Sequence, residues 1–244
     1  TLALTVAFGG AATAQQYPTR TITVIIPFAG GSASDVVSRI MLNKMSTNMG
    51  QPIVVENRPG AGGNSGTLQG ARSTPDGYTW VGGGSGPVAA NLSLYKSLGY
   101  DPEKDLEMIS PFAGFTIIVA VSKTLPPRTL KDFIDYARAN PGKANYGVPS
   151  LGTVNHLMME RLKQTTGVEL TRVPYKGSPE ATLALLKNDI QLFPIGLAAV
   201  GGHYREGRLT ALAVATESRV PMLPEVPTMA ESGFPGFVAS NWWG

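Results

Sequence analysis

The sequence predicts an α/β protein in which strands and helices alternate and the sheets are largely parallel. Short runs of β-branched residues are followed by segments whose apolar residues recur every three or four positions, and this alternation is typical of strand–helix units. The 244 residues are 43% hydrophobic, which is enough to bury one large core or the cores of two smaller lobes.

Eight segments have the composition of β-strands. The first, TITVII, consists of β-branched residues that suit the surface of a sheet. Loops rich in Gly and Pro, such as NRPGAGGNSG, separate several of the segments. The predicted strands are 21–26, 53–56, 79–82, 117–121, 144–147, 169–173, 190–193 and 210–214.

Four segments have the pattern of helices. One begins at Thr129, where Asp132 completes a capping box, and it ends at the Asn-Pro-Gly sequence of 140–142. In another, Ser178 is expected to be the N-cap and Pro179 the first helical residue. The predicted helices are 34–49, 129–140, 153–167 and 178–188.

The first fourteen residues, TLALTVAFGGAATA, are uncharged and apolar and end in Ala-Thr-Ala. This pattern is typical of the apolar region and cleavage site of a secretory signal peptide, although an ordinary N-terminal helix or strand is the alternative. We therefore expect residues 1–14 to be the remnant of a signal peptide and the mature, exported chain to begin near Gln15.

Charge and composition exclude several classes of function. Charged residues make up 15% of the chain, its net charge is +3, and no run of five like charges occurs, so no nucleic-acid partner is expected. The chain has no cysteine, and its two histidines, His156 and His203, lack the spacing of a zinc site. The loop 57–66 matches a dinucleotide-binding motif only in part. The sequence therefore predicts no metal and no cofactor.

Two strand–loop–helix junctions carry the strongest indication of a binding site. Each places glycines and hydroxyl residues where the unpaired amides at the start of a helix favour an anion. An ordinary turn with a Ser or Thr N-cap is the alternative interpretation. The first junction contains Gly30, Gly31, Ser32, Ser34 and Asp35, and the second contains Pro149, Ser150, Leu151, Gly152, Thr153 and His156.

Several single residues have two interpretations. Asp35 could simply complement a helix dipole, and Tyr175 could pack in the core. Trp242 and Trp243 could pack in the core or line a cleft. Lys176 and Arg58 are ordinarily solvated residue types. Ser150 and His156 could form a nucleophile pair, but nothing in the sequence marks a carboxylate that would orient the histidine.

Taken together, the segments resemble a known family. YPTRTITVIIPFAGGSASDVVSRI, GQPIVVENRPGAGGNSGTLQGARSTPDGYTWV, YDPEKDLEMISPFA, VPYKGSPEATLALLKNDIQLF and GRLTALAVATESRVPMLPEVPTMAESGFPGF occur in this order. They resemble the periplasmic substrate-binding proteins of tripartite tricarboxylate transporters, the Bug family. The resemblance covers residues 17–244, and ENRPGAGG alone is already distinctive.

The resemblance implies a type 2 periplasmic-binding-protein fold, in which two lobes close like a Venus flytrap on a small organic carboxylate. Lobe one would span 17–112 with 238–244, and lobe two 113–237. Family chains usually continue beyond the point that corresponds to Gly244, so we expect a C-terminal part of lobe one to be missing. The protein would be a periplasmic monomer that delivers its ligand to membrane permease subunits, and not an enzyme.

The resemblance also implies a ligand site. Backbone amides of the loops Phe28–Asp35 and Pro149–His156, together with ordered water, would hold a carboxylate. Relatives often have Asp where this chain has Gln191 and Ile195. The second Asp can face the ligand in relatives that accept amino acids, so an apolar Ile195 removes a partner for a ligand ammonium group. The resemblance therefore predicts a ligand without an amino group. The predicted ligand-binding residues are Phe28, Ala29, Gly30, Gly31, Ser32, Ser34, Asp35, Ser85, Pro149, Ser150, Gly152, Thr153, His156, Tyr175, Lys176, Gly177 and Ile195.

Two other functions remain open at this point. One is an enzyme of similar fold, such as a hydrolase that uses Ser150 and His156. The other is a receptor that passes ligand-induced closure to a sensor kinase, which the sequence does not separate from a transport protein.

Overall fold

The computed structural model describes residues 16–244, which form ten β-strands and seven α-helices. The predicted signal-peptide segment, 1–14, lies outside these residues. The strands are β1 (Ile22–Ile26), β2 (Ile53–Asn57), β3 (Thr79–Val81), β4 (Ala113–Phe115), β5 (Ile117–Ser122), β6 (Asn145–Val148), β7 (Thr171–Pro174), β8 (Phe193–Gly196), β9 (Leu209–Val214) and β10 (Asn241–Trp243). The helices are α1 (Ala33–Met49), α2 (Asn64–Ala71), α3 (Asn91–Leu94), α4 (Leu130–Ala139), α5 (Val154–Thr166), α6 (Ser178–Lys187) and α7 (Leu197–Arg205).

The α/β prediction is confirmed, but the sheets are parallel only in part. The order β2-β1-β3 is parallel throughout, and β6 pairs with β7 in parallel. In contrast, β5 is antiparallel to both β8 and β9, and β10 is antiparallel to β4. The expectation of largely parallel sheets was therefore wrong for β5, because a strand buried on both faces has the same apolar composition in either direction.

The first lobe is built on the sheet β2-β1-β3, with α1, α2 and α3. Strand β1 lies at its centre, and its side chains Ile22, Val24 and Ile26 form a buried cluster with Leu42 of α1. Helix α1 ends at Gly50, whose left-handed φ of 67° is the usual conformation of a helix C-cap glycine.

The second lobe contains β5 to β9 and α4 to α7, and its core lies on both sides of β5. Ile117, Val119 and Val121 belong to one buried cluster, and Ile118 and Ala120 to another. This division follows from the two-residue period of a strand, which sends successive side chains to opposite faces of the sheet. Every residue of β5 is accordingly buried.

Two short strands join the lobes. β4 leads from the first lobe into the second and pairs with β10, with Ala113 opposite Trp243 and Phe115 opposite Asn241. The end of β10 returns to the first lobe, where the Gly83 amide donates to the Gly244 carbonyl at 2.8 Å. Neither strand was predicted from the sequence, and the lobe boundaries 112/113 and 237/238 stay a prediction.

The four predicted helices are present, with small differences at their ends. The capping box of α4 is confirmed, since Thr129 Oγ1 accepts from the Asp132 amide and Asp132 Oδ2 from the Thr129 amide, both at 3.0 Å. At α6 the N-cap is Gly177, so the prediction of Ser178 as N-cap was wrong by one residue. Strand β8 begins where the predicted strand 190–193 ends, because Leu192 forms only an isolated bridge to Tyr146.

None of the helices within residues 16–244 has the length and apolar character that crossing a bilayer requires.

Replacing Thr129 by alanine should destabilise the second lobe. The substitution removes the acceptor for the Asp132 amide at the start of α4, and loss of such a cap lowers the free energy of unfolding by about 1 kcal/mol. Urea unfolding followed by circular dichroism measures this difference. Thr165→Ala is the matched control, because Thr165 is exposed and its hydroxyl donates, among the described residues, only to the Arg161 carbonyl within its own helix. Equal stability of the two variants would contradict the role of the cap.

Candidate functional site

A cavity of about 70 Å³ lies between the two lobes, which leaves room for a few water molecules or a small ligand group. Its wall is made of small, hydroxyl, amide and aromatic residues, and among residues 16–244 no side chain in the wall carries a charge. The lining residues are Phe28, Ala29, Ser32, Ala33, Ser34, Gly84, Ser85, Gly86, Pro87, Phe115, Ile117, Pro149, Ser150, Thr153, Val154, Asn155, Gly177, Ser178, Gly196, Asn241 and Trp243.

Four helices begin at this cavity. Their N-cap residues are Ser32 for α1, Thr153 for α5, Gly177 for α6 and Gly196 for α7, and all four line the wall. The start of a helix carries about half a positive elementary charge and presents unpaired amides. Because the lining side chains are uncharged, the positive potential of the cavity comes from the backbone.

The first loop, residues 27–32, connects β1 to α1 and is held by Asp35. Gly31 has a left-handed φ of 77°, and its amide donates to Asp35 Oδ2 at 2.9 Å. Ser32 caps the helix by accepting from the Asp35 amide at 3.3 Å. Ala33 and Ser34 are the first two residues of α1, so no helical carbonyl four residues before them accepts from their amides. These amides donate to no side chain in the part of the chain that the structure describes.

The Asp35 carboxylate is used within the protein. It is buried and accepts hydrogen bonds at 2.9 Å from Arg39 Nε and from Asn57 Nδ2, in addition to the Gly31 amide. Asn57 Nδ2 also donates to the Phe28 carbonyl at 3.0 Å. Asp35 therefore fixes the shape of the first loop and does not line the cavity. Arg39 and Asn57 hold the Asp35 carboxylate in place. Neither residue was identified from the sequence.

The second loop, residues 149–153, connects β6 to α5 in a similar way. Gly152 also has a φ of 77°, and its amide donates to His156 Nδ1 at 3.3 Å. Thr153 Oγ1 donates to the Ser150 carbonyl at 3.0 Å. Asn155 lines the cavity, and its Nδ2 donates to the Pro194 carbonyl of β8 at 2.8 Å.

His156 lies behind the second loop and not in the cavity. Its Nε2 atom is 3.3 Å from Arg172 Nη1 and 3.8 Å from Glu160 Oε1. Burial lowers its pKa, and the charges of Arg172 and Lys163 act in the same direction, against the opposing effect of Glu160. Within residues 16–244 no hydrogen bond joins Ser150, which lines the cavity, to His156, which does not line it.

Aromatic rings form one wall of the cavity. Trp243 packs edge-on against Phe28 and Phe115, with ring centroids 5.0 and 6.0 Å apart. Beside them, Ser85 Oγ donates to Asn241 Oδ1 at 2.8 Å. Trp243 is therefore both a buried packing residue and part of the cavity wall. Nothing in the sequence indicated Phe115 or Asn241, because each enters the site through a tertiary contact, and Asn155 lies within the predicted loop Pro149–His156 but was not named as a ligand-binding residue.

The predicted site residues divide into two groups. Nine of them line the cavity, namely Phe28, Ala29, Ser32, Ser34, Ser85, Pro149, Ser150, Thr153 and Gly177. The other eight do not line it, namely Gly30, Gly31, Asp35, Gly152, His156, Tyr175, Lys176 and Ile195.

Three members of the second group belong to neither loop. Ile195 is buried in the core of the second lobe, so its side chain is not available to contact a ligand. Tyr175 packs against the same cluster, and Lys176 is exposed. Ile195 is therefore not placed to contact an amino group of the ligand directly, as the sequence prediction assumed.

The lobes touch where side chains are smallest. A Cβ atom added to Gly177 would lie 2.6 Å from Ala29 Cβ, and one added to Gly196 would lie 2.8 Å from Ala33 Cβ. One added to Gly152 would lie 2.4 Å from Asn91 Oδ1 of the first lobe. These separations are shorter than real contacts of Cβ atoms, so the close approach of the lobes requires glycine at these positions.

Comparison with known proteins identifies the family. The pattern of the tripartite tricarboxylate transporter family receptor matches residues 37–244. The chain belongs to this family. Protein BugT of Bordetella pertussis is 38% identical over 231 residues, which are 94% of this chain and 71% of that protein.

Two solved structures of the same kind share the fold. R. palustris Rpa4515 with adipate is 37% identical with a TM-score of 0.90, and the periplasmic binding protein BugD is 35% identical with a TM-score of 0.89. In both comparisons the match covers 93% of this chain and 76% of the other. The prediction of a two-lobed periplasmic-binding-protein fold and of the family is confirmed.

Gly196→Ala should push the lobes apart. Alanine is compatible with the φ of −63° at this position, but its Cβ would collide with Ala33 Cβ, and separation of the lobes relieves the collision. The chain has no cysteine, so spin labels on Lys44→Cys and Leu183→Cys report the distance between α1 and α6. We expect longer distances in the Gly196→Ala variant than in the parent.

Gly201→Ala is the matched control for this experiment, because it lies in α7 where no described atom is within 4 Å of an added Cβ. Its distance distribution should equal that of the parent. A Gly196→Ala distribution identical to the control would show that this contact does not limit the approach of the lobes.

Proposed function

We propose that this protein is a periplasmic solute-binding protein that captures a small organic carboxylate and presents it to the membrane permease of a tripartite tricarboxylate-type transporter. The observation that carries the proposal is the start of four helices at one cavity between the lobes. Family membership supports the transport role, and the similarity to R. palustris Rpa4515 with adipate supports a carboxylate ligand.

The chemistry of the cavity favours an anion. Backbone amides at helix starts donate hydrogen bonds, and the helix dipoles add positive potential. Ser34 and Ser150 supply hydroxyl groups in the same wall. We propose that the carboxylate lies between the first and second loops, held by amides from both lobes and by water.

The lining also suggests what the rest of the ligand lacks. A ligand ammonium group is ordinarily paired with a carboxylate when it leaves water. No acidic side chain lines the cavity in residues 16–244, and the Asp35 carboxylate is already engaged by its own loop. We therefore propose a carboxylate without an amino group, whose body packs against Phe28, Phe115 and Trp243.

Binding between two lobes couples occupancy to shape. A ligand that contacts both loops stabilises the closed arrangement more than the open one, and only this difference is able to shift the equilibrium. We propose that lobe one spans 17–112 with 238–244 and that lobe two spans 113–237, although Ala239 still packs in the second-lobe core. Export through a signal peptide at 1–14 and action as a monomer stay predictions.

Thermal-shift measurements with succinate, adipate, citrate, benzoate and glutamate test the function. A ligand at one hundred times its Kd adds about 2.7 kcal/mol of stability, which raises Tm by several degrees. The amide of the strongest binder is the control and should give no shift, because it lacks the charge that the helix starts favour. We expect no shift with glutamate at the concentration at which the strongest binder acts.

Recovery of the bound compound by mass spectrometry separates binding from catalysis. An unchanged compound, retained through desalting, supports a binding protein. Conversion of a carboxylic ester that is lost in Ser150→Ala would instead support the hydrolase. A folded protein that none of the five acids stabilises would contradict the proposed function.

A further inference from the structure

The two loops at the cavity are fixed by the same device. In each, a glycine with a φ of 77° precedes a hydroxyl residue that begins a helix. In each, the glycine amide donates to the side chain four residues further on, which is Asp35 in the first lobe and His156 in the second. The two acceptors differ in one chemical property, since only the histidine changes its protonation near neutral pH.

We propose that His156 is a positioning residue for the second loop, and that this loop keeps its ligand-binding shape only while His156 Nδ1 is unprotonated. The proposal rests on the proposed function, because it assigns His156 a role within that ligand site.

The geometry gives the reason. We assign the tautomer in which Nδ1 accepts from the Gly152 amide at 3.3 Å, so the ring proton of the neutral imidazole lies on Nε2 and the 3.3 Å contact with Arg172 Nη1 is not a hydrogen bond. A protonated imidazole has a hydrogen on both nitrogens and accepts from neither. Protonation therefore removes the only acceptor of the Gly152 amide within the described chain, and Gly152 is the residue that leads into the N-cap Thr153.

The surroundings of His156 set the pH at which this occurs. From α5 it faces Glu160 and Lys163, from β7 it faces Arg172, and Tyr146 of β6 donates to the same Glu160 carboxylate. Burial, Arg172 and Lys163 lower the pKa of His156, while Glu160 raises it, and the net direction is downward from 6.5. These effects favour the neutral imidazole near pH 7, so the loop loses its acceptor as the pH falls.

Charge alone would have the opposite effect on an anionic ligand. A protonated His156 adds a positive charge, which would attract a carboxylate. That charge lies outside the cavity wall, behind the loop, and Glu160 beside it offsets it only in part because this carboxylate also pairs with Lys163. The loss of loop geometry is therefore the larger effect, and the sign of the pH dependence distinguishes the two.

Isothermal titration calorimetry with the member of the five-acid panel that gives the largest thermal shift tests the proposal. At pH 7.5 we expect His156→Ala to weaken binding about tenfold, in line with the loss of one hydrogen bond. His156→Asn should stay within about twofold of the parent, because the Asn side-chain oxygen is an acceptor that occupies the place of Nδ1. Binding by the parent should weaken between pH 7.5 and pH 5, and binding by His156→Asn should not.

His203→Ala is the matched control, since it removes the other histidine, which lies on α7 away from both loops. It should keep the pH dependence of the parent. Equal loss of affinity in His156→Asn and His156→Ala, or tighter binding by the parent in acid, would overturn the proposal.

A second measurement needs no ligand. In the parent, the amide resonance of Gly152 should shift with the same midpoint as the His156 ring, and in His156→Asn it should not shift. A Gly152 resonance that ignores the titration of His156 would refute the role even if His156→Ala fails to fold. If no acid binds the parent, the proposed function fails while the resonance still decides the role of His156.

Discussion

The close approach of two lobes around helix starts is the constraint on which the rest of the molecule depends. Helices α1, α5, α6 and α7 each follow directly on a strand, namely β1, β6, β7 and β8. Their starts therefore lie at the carboxyl ends of these strands, where α/β proteins commonly place their ligands. The strands fix the direction of the helices, and the helices together supply a positive potential although the described wall contains no cationic side chain.

This arrangement is possible only because the contact between the lobes is made by small residues. Gly177 faces Ala29, and Gly196 faces Ala33. The backbones of the two lobes are therefore separated by no side chain larger than a methyl group at these two contacts. Larger side chains would hold the helix starts apart and let water into the space, where it would weaken the field that they create. The glycines let the lobes approach closely, and this close approach strengthens the positive potential that the helix starts create in the cavity.

The sequence predicted well what depends on local pattern. Apolar residues that recur every three or four positions located α1, and Thr129 with Asp132 located the start of α4. It failed where local pattern is ambiguous. Helices α2 and α7 contain glycines that weaken a helical pattern, and the direction of β5 is invisible in a strand buried on both faces.

The candidate site was predictable to a similar degree. Loops 27–32 and 149–153 were recognisable because glycines and hydroxyl residues follow a strand and precede a helix. Asp35 and His156 were identified with them, but their role in holding the loops depends on hydrogen bonds to Gly31 and Gly152 that no spacing reveals. Asn241 and Trp243 lie more than 150 residues from Ser85 and Phe28 in the chain, so only the folded structure brings them together.

A cavity whose charge resides in the backbone has a consequence for its evolution. A field made by peptide dipoles is not removed when one side chain is exchanged, whereas a site built on a single arginine is lost with that arginine. The aromatic wall of Phe28, Phe115 and Trp243 is separate from this field. Under the proposed function, the wall can therefore be reshaped for new compounds while the positive field of the helix starts persists.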